Sequence, residues 1–217
     1  MNFFSVVLAS TLTCQPVPDA GQIGFWEATR SSMGGIANNI ELRTDGSYSR
    51  AMTVLVDFVY KVEDNMLYSA PDGEGPVSFT NPREITISND SYSLTNHEGE
   101  KETRKRIGTG QHGSITGVYS YRHGTGAIAY EKYTDDGLFH LRIPMRLEHG
   151  CYSIDKEEMS LEPEEKPTYK TYFYFESSDL VLDDFKRKSY YKLVPEGAWY
   201  HVDKVDYVKP ESFTPEN

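Results

Sequence analysis

No part of this sequence carries a sustained helical apolar period, so no segment reads as an amphipathic helix. Cysteine is scarce. Cys14 and Cys151 stand alone among 217 residues, which makes neither a disulfide framework nor a metal knuckle. Cys151 lies in a strand-like run, where a lone cysteine reads as a small buried hydrophobe. No apolar run is long enough to span a bilayer as a helix. There is no Gly-x-Ser-x-Gly elbow, which leaves a serine hydrolase without support. The six histidines are His97, His112, His123, His140, His149 and His201, and none has the close spacing to cysteine or carboxylate that marks a zinc site. His112 and Cys151 have no local signature of a base and nucleophile, although His123 and His140 are placed to share a second unit. Base is in deficit, with 22 Lys and Arg against 33 Asp and Glu, and the net charge is -11. An acidic surface repels phosphate backbones, which argues against nucleic acid as a partner.

The acid itself names no reaction. Asp155, Glu157 and Glu158 cluster, as do Glu162, Glu164 and Glu165. Such runs face water at turns rather than each other across a glycosidase cleft. They also lack the ordered loop of a calcium site. No catalytic residue, metal site or cofactor is assigned. The one basic cluster, Lys101, Arg104, Lys105 and Arg106, has Glu100 and Glu102 among its members and reads as an exposed strand edge or a connector.

What the chain has is alternation and turns. Sixteen tyrosines lead an aromatic content of 13%, a composition suited to half-buried strands with rings inside and hydroxyls near water. Ser47–Val56, Glu84–Ser88 and Thr168–Glu176 alternate with β-branched and aromatic residues. Asp45-Gly46, Asp64-Asn65, Asp72-Gly73, Asn89-Asp90 and Asp136-Gly137 supply the turns between them. This rhythm predicts an all-β antiparallel meander or barrel.

The two halves also repeat each other. Gly24-Phe25-Trp26 is answered by Gly117-Val118-Tyr119, Asp45-Gly46 by Asp136-Gly137, and Tyr60 by Tyr152. The offsets are 93 at Trp26/Tyr119, 91 at Asp45/Asp136 and 92 at Tyr60/Tyr152, which argues for duplication of one unit. The glycine-rich stretch 108–113 predicts the boundary. The expected organisation is a leader over 1–20, repeat one over 21–108, repeat two over 114–196 and a tail over 197–217. The leader rests on the apolar run Phe3–Cys14 before Gln15-Pro16-Val17-Pro18. It reads as a secretory signal, or as a lipoprotein signal with Cys14 as the lipid anchor, and its alternative is an ordinary first strand. The expected location is therefore secreted, periplasmic or lipid-anchored, with the cytoplasm as the alternative.

The order Gly-x-Trp, Asp-Gly-Ser-Tyr, Tyr-x-Val, Leu-strand and basic-aromatic strand resembles the lipocalin-like family of small bacterial extracytoplasmic β-proteins. Gly24-Phe25-Trp26, Asp45-Gly46-Ser47-Tyr48, Tyr60-Lys61-Val62 and Tyr92-Ser93-Leu94 running to Arg106 carry the likeness. The second copy departs from it, with Tyr119 for the Trp and Leu138 after Asp136-Gly137. The resemblance implies two tandem lipocalin-like units and a binding or structural role. Trp26, Tyr48, Tyr60, Tyr119, Phe139 and Tyr152 are the candidate cavity rings. In a barrel of few strands such rings tend to fill the core themselves, and Trp26 is expected to be a core plug more than a ligand contact. The function expected is that of a non-enzymatic exported binding protein, holding a small apolar molecule or meeting another protein. An inhibitor or immunity protein with an acidic binding surface, and an isomerase or hydrolase inside one barrel, are the alternatives.

Overall fold

The structure is a computed structural model that describes residues 13–32, 35–72, 77–95, 99–108, 113–124, 126–195, 197 and 199–200. The expected leader residues 1–12, the histidines His97, His112 and His201, and the tail from 201 lie outside the described residues. Fourteen strands form, and no helix occurs among the described residues. In chain order the first half supplies β1 (Gly24–Ala28), β2 (Ile36–Leu42), β3 (Ser47–Glu63), β4 (Met66–Pro71), β5 (Thr80–Ile87), β6 (Ser91–Thr95) and β7 (Lys101–Ile107). The second half supplies β8 (Gly117–Arg122), β9 (Ile128–Tyr133), β10 (Leu138–Asp155), β11 (Glu158–Pro163), β12 (Tyr169–Glu176), β13 (Asp179–Asp183) and β14 (Lys188–Leu193). Neighbours in sequence are neighbours in the sheet, β1 pairs β14 to close the order into a ring, and β3 also pairs β10.

The chain gathers into two compact units, and neither is a contiguous stretch. Unit 1 comprises Met1–Thr29, Asn39–Arg50 and Glu148–Gly197; unit 2 comprises Arg30–Asn38, Ala51–Leu147 and Ala198–Asn217. The glycine stretch 108–113 falls inside the Ala51–Leu147 segment of unit 2, so compactness does not divide the chain there.

In unit 1 the apolar face is built from both halves of the sequence. Trp26, Ile40, Leu42 and Tyr48 pack with Tyr152, Met159, Leu161, Phe173, Leu180, Leu182 and Tyr191. Trp26 is 2% exposed, and its indole N–H donates to the Gln22 carbonyl at 2.7 Å, so the ring is buried with its one polar atom satisfied. The β1 register sets Trp26 opposite Ile40 on one side and Leu193 on the other. Alternation on β12 buries Thr171 and Phe173 and exposes Lys170 and Tyr172, as a half-buried strand requires.

Cys14 and Val17, ahead of β1, are tied to later parts of unit 1. The Val17 N–H donates to the Thr44 carbonyl at 3.1 Å, and Cys14 is disulfide-bonded to Cys151. This corrects the reading of Cys151 as a lone buried thiol. The pair, 137 residues apart in sequence, has Cα atoms 5.2 Å apart, a proximity that only the folded β10 creates. The sulfur that a lipid anchor at Cys14 would use is committed to this bond. Gly46 closes the turn next to this segment. Its φ is +80°, and a Cβ there would lie 1.9 Å from the Gln15 carbonyl oxygen, so only glycine fits.

In unit 2 the core again draws on both halves. Leu67, Ile85, Tyr92 and Leu94 pack with Ile115, Tyr119, Tyr133 and Phe139. Rings dominate it. Tyr133 stacks on Phe139 with centroids 4.6 Å apart, and Tyr60, Tyr92 and Tyr119 meet Tyr133 edge-on. Gly137, at φ +84°, makes the β9–β10 turn. Its carbonyl accepts the Tyr60 N–H at 2.7 Å, and this bond ties β3 to the turn inside unit 2.

Candidate functional site

The six candidate rings are divided between the two cores. Trp26, Tyr48 and Tyr152 belong to unit 1, while Tyr60, Tyr119 and Phe139 belong to unit 2. All but Tyr60 are buried, and each packs against other side chains of its own unit. Their polar tips are largely occupied. Tyr152 O–H donates to the Arg43 carbonyl at 2.8 Å, Tyr60 O–H to the Thr134 carbonyl at 2.8 Å, and Tyr48 O–H to Glu148 at 3.1 Å. The exception is Tyr119, whose buried hydroxyl has no hydrogen-bond partner.

A polar cavity of about 600 Å³ opens in unit 2, lined by Glu102, Thr103, Arg104, Tyr121, Arg122, His123 and Gly124. None of the six rings lines it. Its walls come from the adjacent strands β7 and β8, which pair through Lys105↔Ser120 and Ile107↔Val118, and from His123 and Gly124 just after β8. Along β7 the burial pattern makes Arg104 the one buried residue. The period of two along a strand puts Glu102 on the same face, and Arg104 Nη2 donates to Glu102 Oε2 at 2.7 Å.

Behind Arg104 lies a second carboxylate. Glu131, on β9, has a side chain 6% exposed, as does Arg104, and the two are 3.5 Å apart at Arg104 Nε and Glu131 Oε1. That contact is an ion pair without hydrogen-bond alignment, because Arg104 Nε has no acceptor. Tyr92, directly opposite Arg104 on β6, donates its hydroxyl to Glu131 Oε2, and the Tyr133 hydroxyl lies 3.0 Å from that of Tyr92. The Arg104 guanidinium lies over the Tyr121 ring at 3.5 Å. Burial pushes the Glu131 carboxyl up, against the opposing charge of Arg104 and the hydrogen bond from Tyr92. Burial likewise pushes the Tyr121 phenol up to about 12, with the Glu131 charge adding to it.

Two guanidinium groups and an imidazole reach the cavity, and one of the guanidiniums is held in place by two carboxylates and an aromatic face. Glu131 itself is not on the lining. The sequence reading placed Arg104 in an exposed edge or connector. The structure corrects this, since β7 is paired on both sides, with β6 and with β8. The signal was the spacing of Glu102, Arg104 and Arg106 at every second residue, which sets them on one face of a strand.

Two further polar clusters centre on carboxylates. In unit 2, Asp57 Oδ1 accepts from Arg142 at 2.7 Å and from His140 at 2.8 Å. Burial opposes its ionisation, but the bonds from His140 and Arg142 outweigh that and hold Asp57 at about 2. His140 is thus committed to Asp57, and His123 lines the cavity. In unit 1, Glu148 gathers Tyr48, Tyr169, Lys166 and Arg50. No group of residues able to hold a metal ion occurs among the described residues. Among them too, no helix is long and apolar enough to cross a membrane. No family model matches the chain, and neither a curated protein nor a solved structure matches it.

Proposed function

We propose that the chain is a non-enzymatic, exported binding protein of lipocalin-like build, with its ligand site at the Arg104 cavity of unit 2. The observation that carries this reading is a buried charge cluster beside a cavity of ligand size. Burying an ion pair costs more than burying apolar groups of the same volume, so a fold gains nothing in stability from Arg104 and Glu131. Such a cluster is retained for what it recognises or positions.

The duplication reading sharpens the point. At the offset of 91, Ile40 is the counterpart of Glu131, and Ile40 lies 1% exposed in an apolar core. One copy then fills the position with a hydrocarbon, and the other fills it with a carboxylate paired to an arginine. On this reading unit 1 is the stabilising copy and unit 2 the binding copy. The duplication further implies an exchange of strands within one chain, because each unit combines the opening strands of one repeat with the closing strands of the other.

Export draws support from the disulfide, since such bonds persist in oxidising compartments. Two guanidiniums, an imidazole and a carboxylate on the lining favour a ligand with a polar group over the wholly apolar one that the resemblance implied. Because Glu131 is walled off from the lining, binding is better supported than an isomerase or hydrolase chemistry. Native mass spectrometry of the chain purified from an oxidising compartment tests the reading. Unmodified protein carrying a small molecule, and an Arg104→Leu/Glu131→Ile variant that does not, is the expected result. An unmodified chain that neither retains nor takes up any small molecule would oppose it.

A further inference from the structure

The chain carries -11, yet its cavity lining brings two guanidiniums, Arg104 and Arg122, together with the carboxylate of Glu102, while Glu131 faces Arg104 from behind the lining. Arg122 makes one hydrogen bond, from Nη1 to the Gly126 carbonyl at 3.1 Å, and no ion pair among the described residues. Its charge is therefore not neutralised at the rim. Arg104 is held flat on Tyr121, tied on one side to Glu102 and faced on another by Glu131. A guanidinium fixed in this way loses little freedom when it meets an acidic group.

We propose that the unit 2 cavity takes a small organic anion whose acidic group is held between Arg104 and Arg122. The inference rests on the reading of this cavity as the ligand site and adds the charge of the ligand to it. Guanidinium groups recognise carboxylate and phosphate through planar, charge-assisted hydrogen bonds. The cavity volume of about 600 Å³ suits a molecule of metabolite size and is too small for a macromolecular segment to be enclosed. The acidic exterior repels anions at long range, so selection occurs at short range, at the two arginines, and depends on salt.

The test uses three probes of one shape and different charge, namely benzoate, benzyl alcohol and benzamidine. Each is titrated into the full chain while backbone amide shifts are followed at 102–104 and 121–124. Benzoate is expected to shift these amides with an affinity about tenfold or more above that of benzyl alcohol. Raising salt from about 0.05 M to about 0.5 M is expected to weaken it. Arg122→Gln, at an exposed rim position, is expected to reduce benzoate affinity about fivefold while leaving the fold intact. Lys61→Gln, an exposed cation elsewhere in unit 2, is expected to leave it unchanged. If benzyl alcohol or benzamidine binds these residues as tightly as benzoate, the cavity remains a ligand site and the anion assignment falls. If no probe shifts these amides, the anion assignment and the site fall together.

Discussion

Tyr60 and Tyr152 are bonded alike in different units. Tyr152 donates its N–H to the Gly46 carbonyl at 2.7 Å and its O–H to the Arg43 carbonyl at 2.8 Å. Tyr60 donates its N–H to the Gly137 carbonyl at 2.7 Å and its O–H to the Thr134 carbonyl at 2.8 Å. The acceptors are themselves 91 residues apart, and the donors 92. In each unit a tyrosine from one half of the chain staples the turn of the other half. Removing either hydroxyl is expected to leave the turn carbonyl with only the N–H of its own turn, from Gly46 or Gly137, and to cost about 1 kcal/mol. Urea unfolding of Tyr60→Phe and Tyr152→Phe checks this. Equal stability of both variants with the unmodified chain would show that the staples contribute nothing.

The Cys14–Cys151 bond spans a loop of 137 residues, long enough for its loss to be felt in the unfolded chain. The double variant Cys14→Ser/Cys151→Ser is expected to lose about 2–4 kcal/mol, read from the denaturant midpoint. Thiol titration of the denatured, unreduced protein is expected to find neither cysteine free.

Arg104 and Glu131 are expected to behave as a costly pair. Arg104→Leu alone leaves Glu131 buried without its cation and should destabilise the chain by about 3–5 kcal/mol at neutral pH. The penalty should shrink on acidification, as Glu131 takes up a proton. Arg104→Leu/Glu131→Ile, which removes both buried charges, is expected to recover that loss or exceed the unmodified stability. Chemical denaturation of the single and double variants decides the matter. A double variant as unstable as the single one would mean that the pair stabilises the fold.

Burial holds the Tyr121 and Tyr169 phenols up at about 12, above the unperturbed value of 10.0. Their folded values exceed the unfolded ones, so the stability they contribute is fully present below pH 10 and is lost as pH rises through about 12. The expected outcome is alkaline unfolding in that window, accompanied by late phenolate absorbance. Native protein in which every tyrosine ionises near its ordinary value would contradict the burial described.

Much of the fold was legible in residue pattern. The all-β class followed from alternation and from Asp45-Gly46 and Asp136-Gly137, because strand period and turn chemistry are local properties. The pairing of Cys14 with Cys151 was not legible, because it depends on where β10 runs and on no local signal. Nor does any local pattern say that β3 and β10 each serve two units, since each reads only as one long strand. The site was partly hidden for a similar reason. Lys101–Ile107 is highly charged, and charge in a strand ordinarily marks an edge, whereas β6 and β8 enclose this one and turn Arg104 inward. Trp26 was legible as a core ring, and both Trp26 and Tyr119 lie in cores.

The central claim is that each compact unit needs both halves of the chain. A protease site placed in the connector at 109–112, between β7 and β8, tests it most directly. After cleavage and reduction of the Cys14–Cys151 bond, the two pieces are expected to stay together under native conditions as one species of about 24.7 kDa, and to part only in denaturant. Pieces that separate without denaturant into two folded halves would contradict the account.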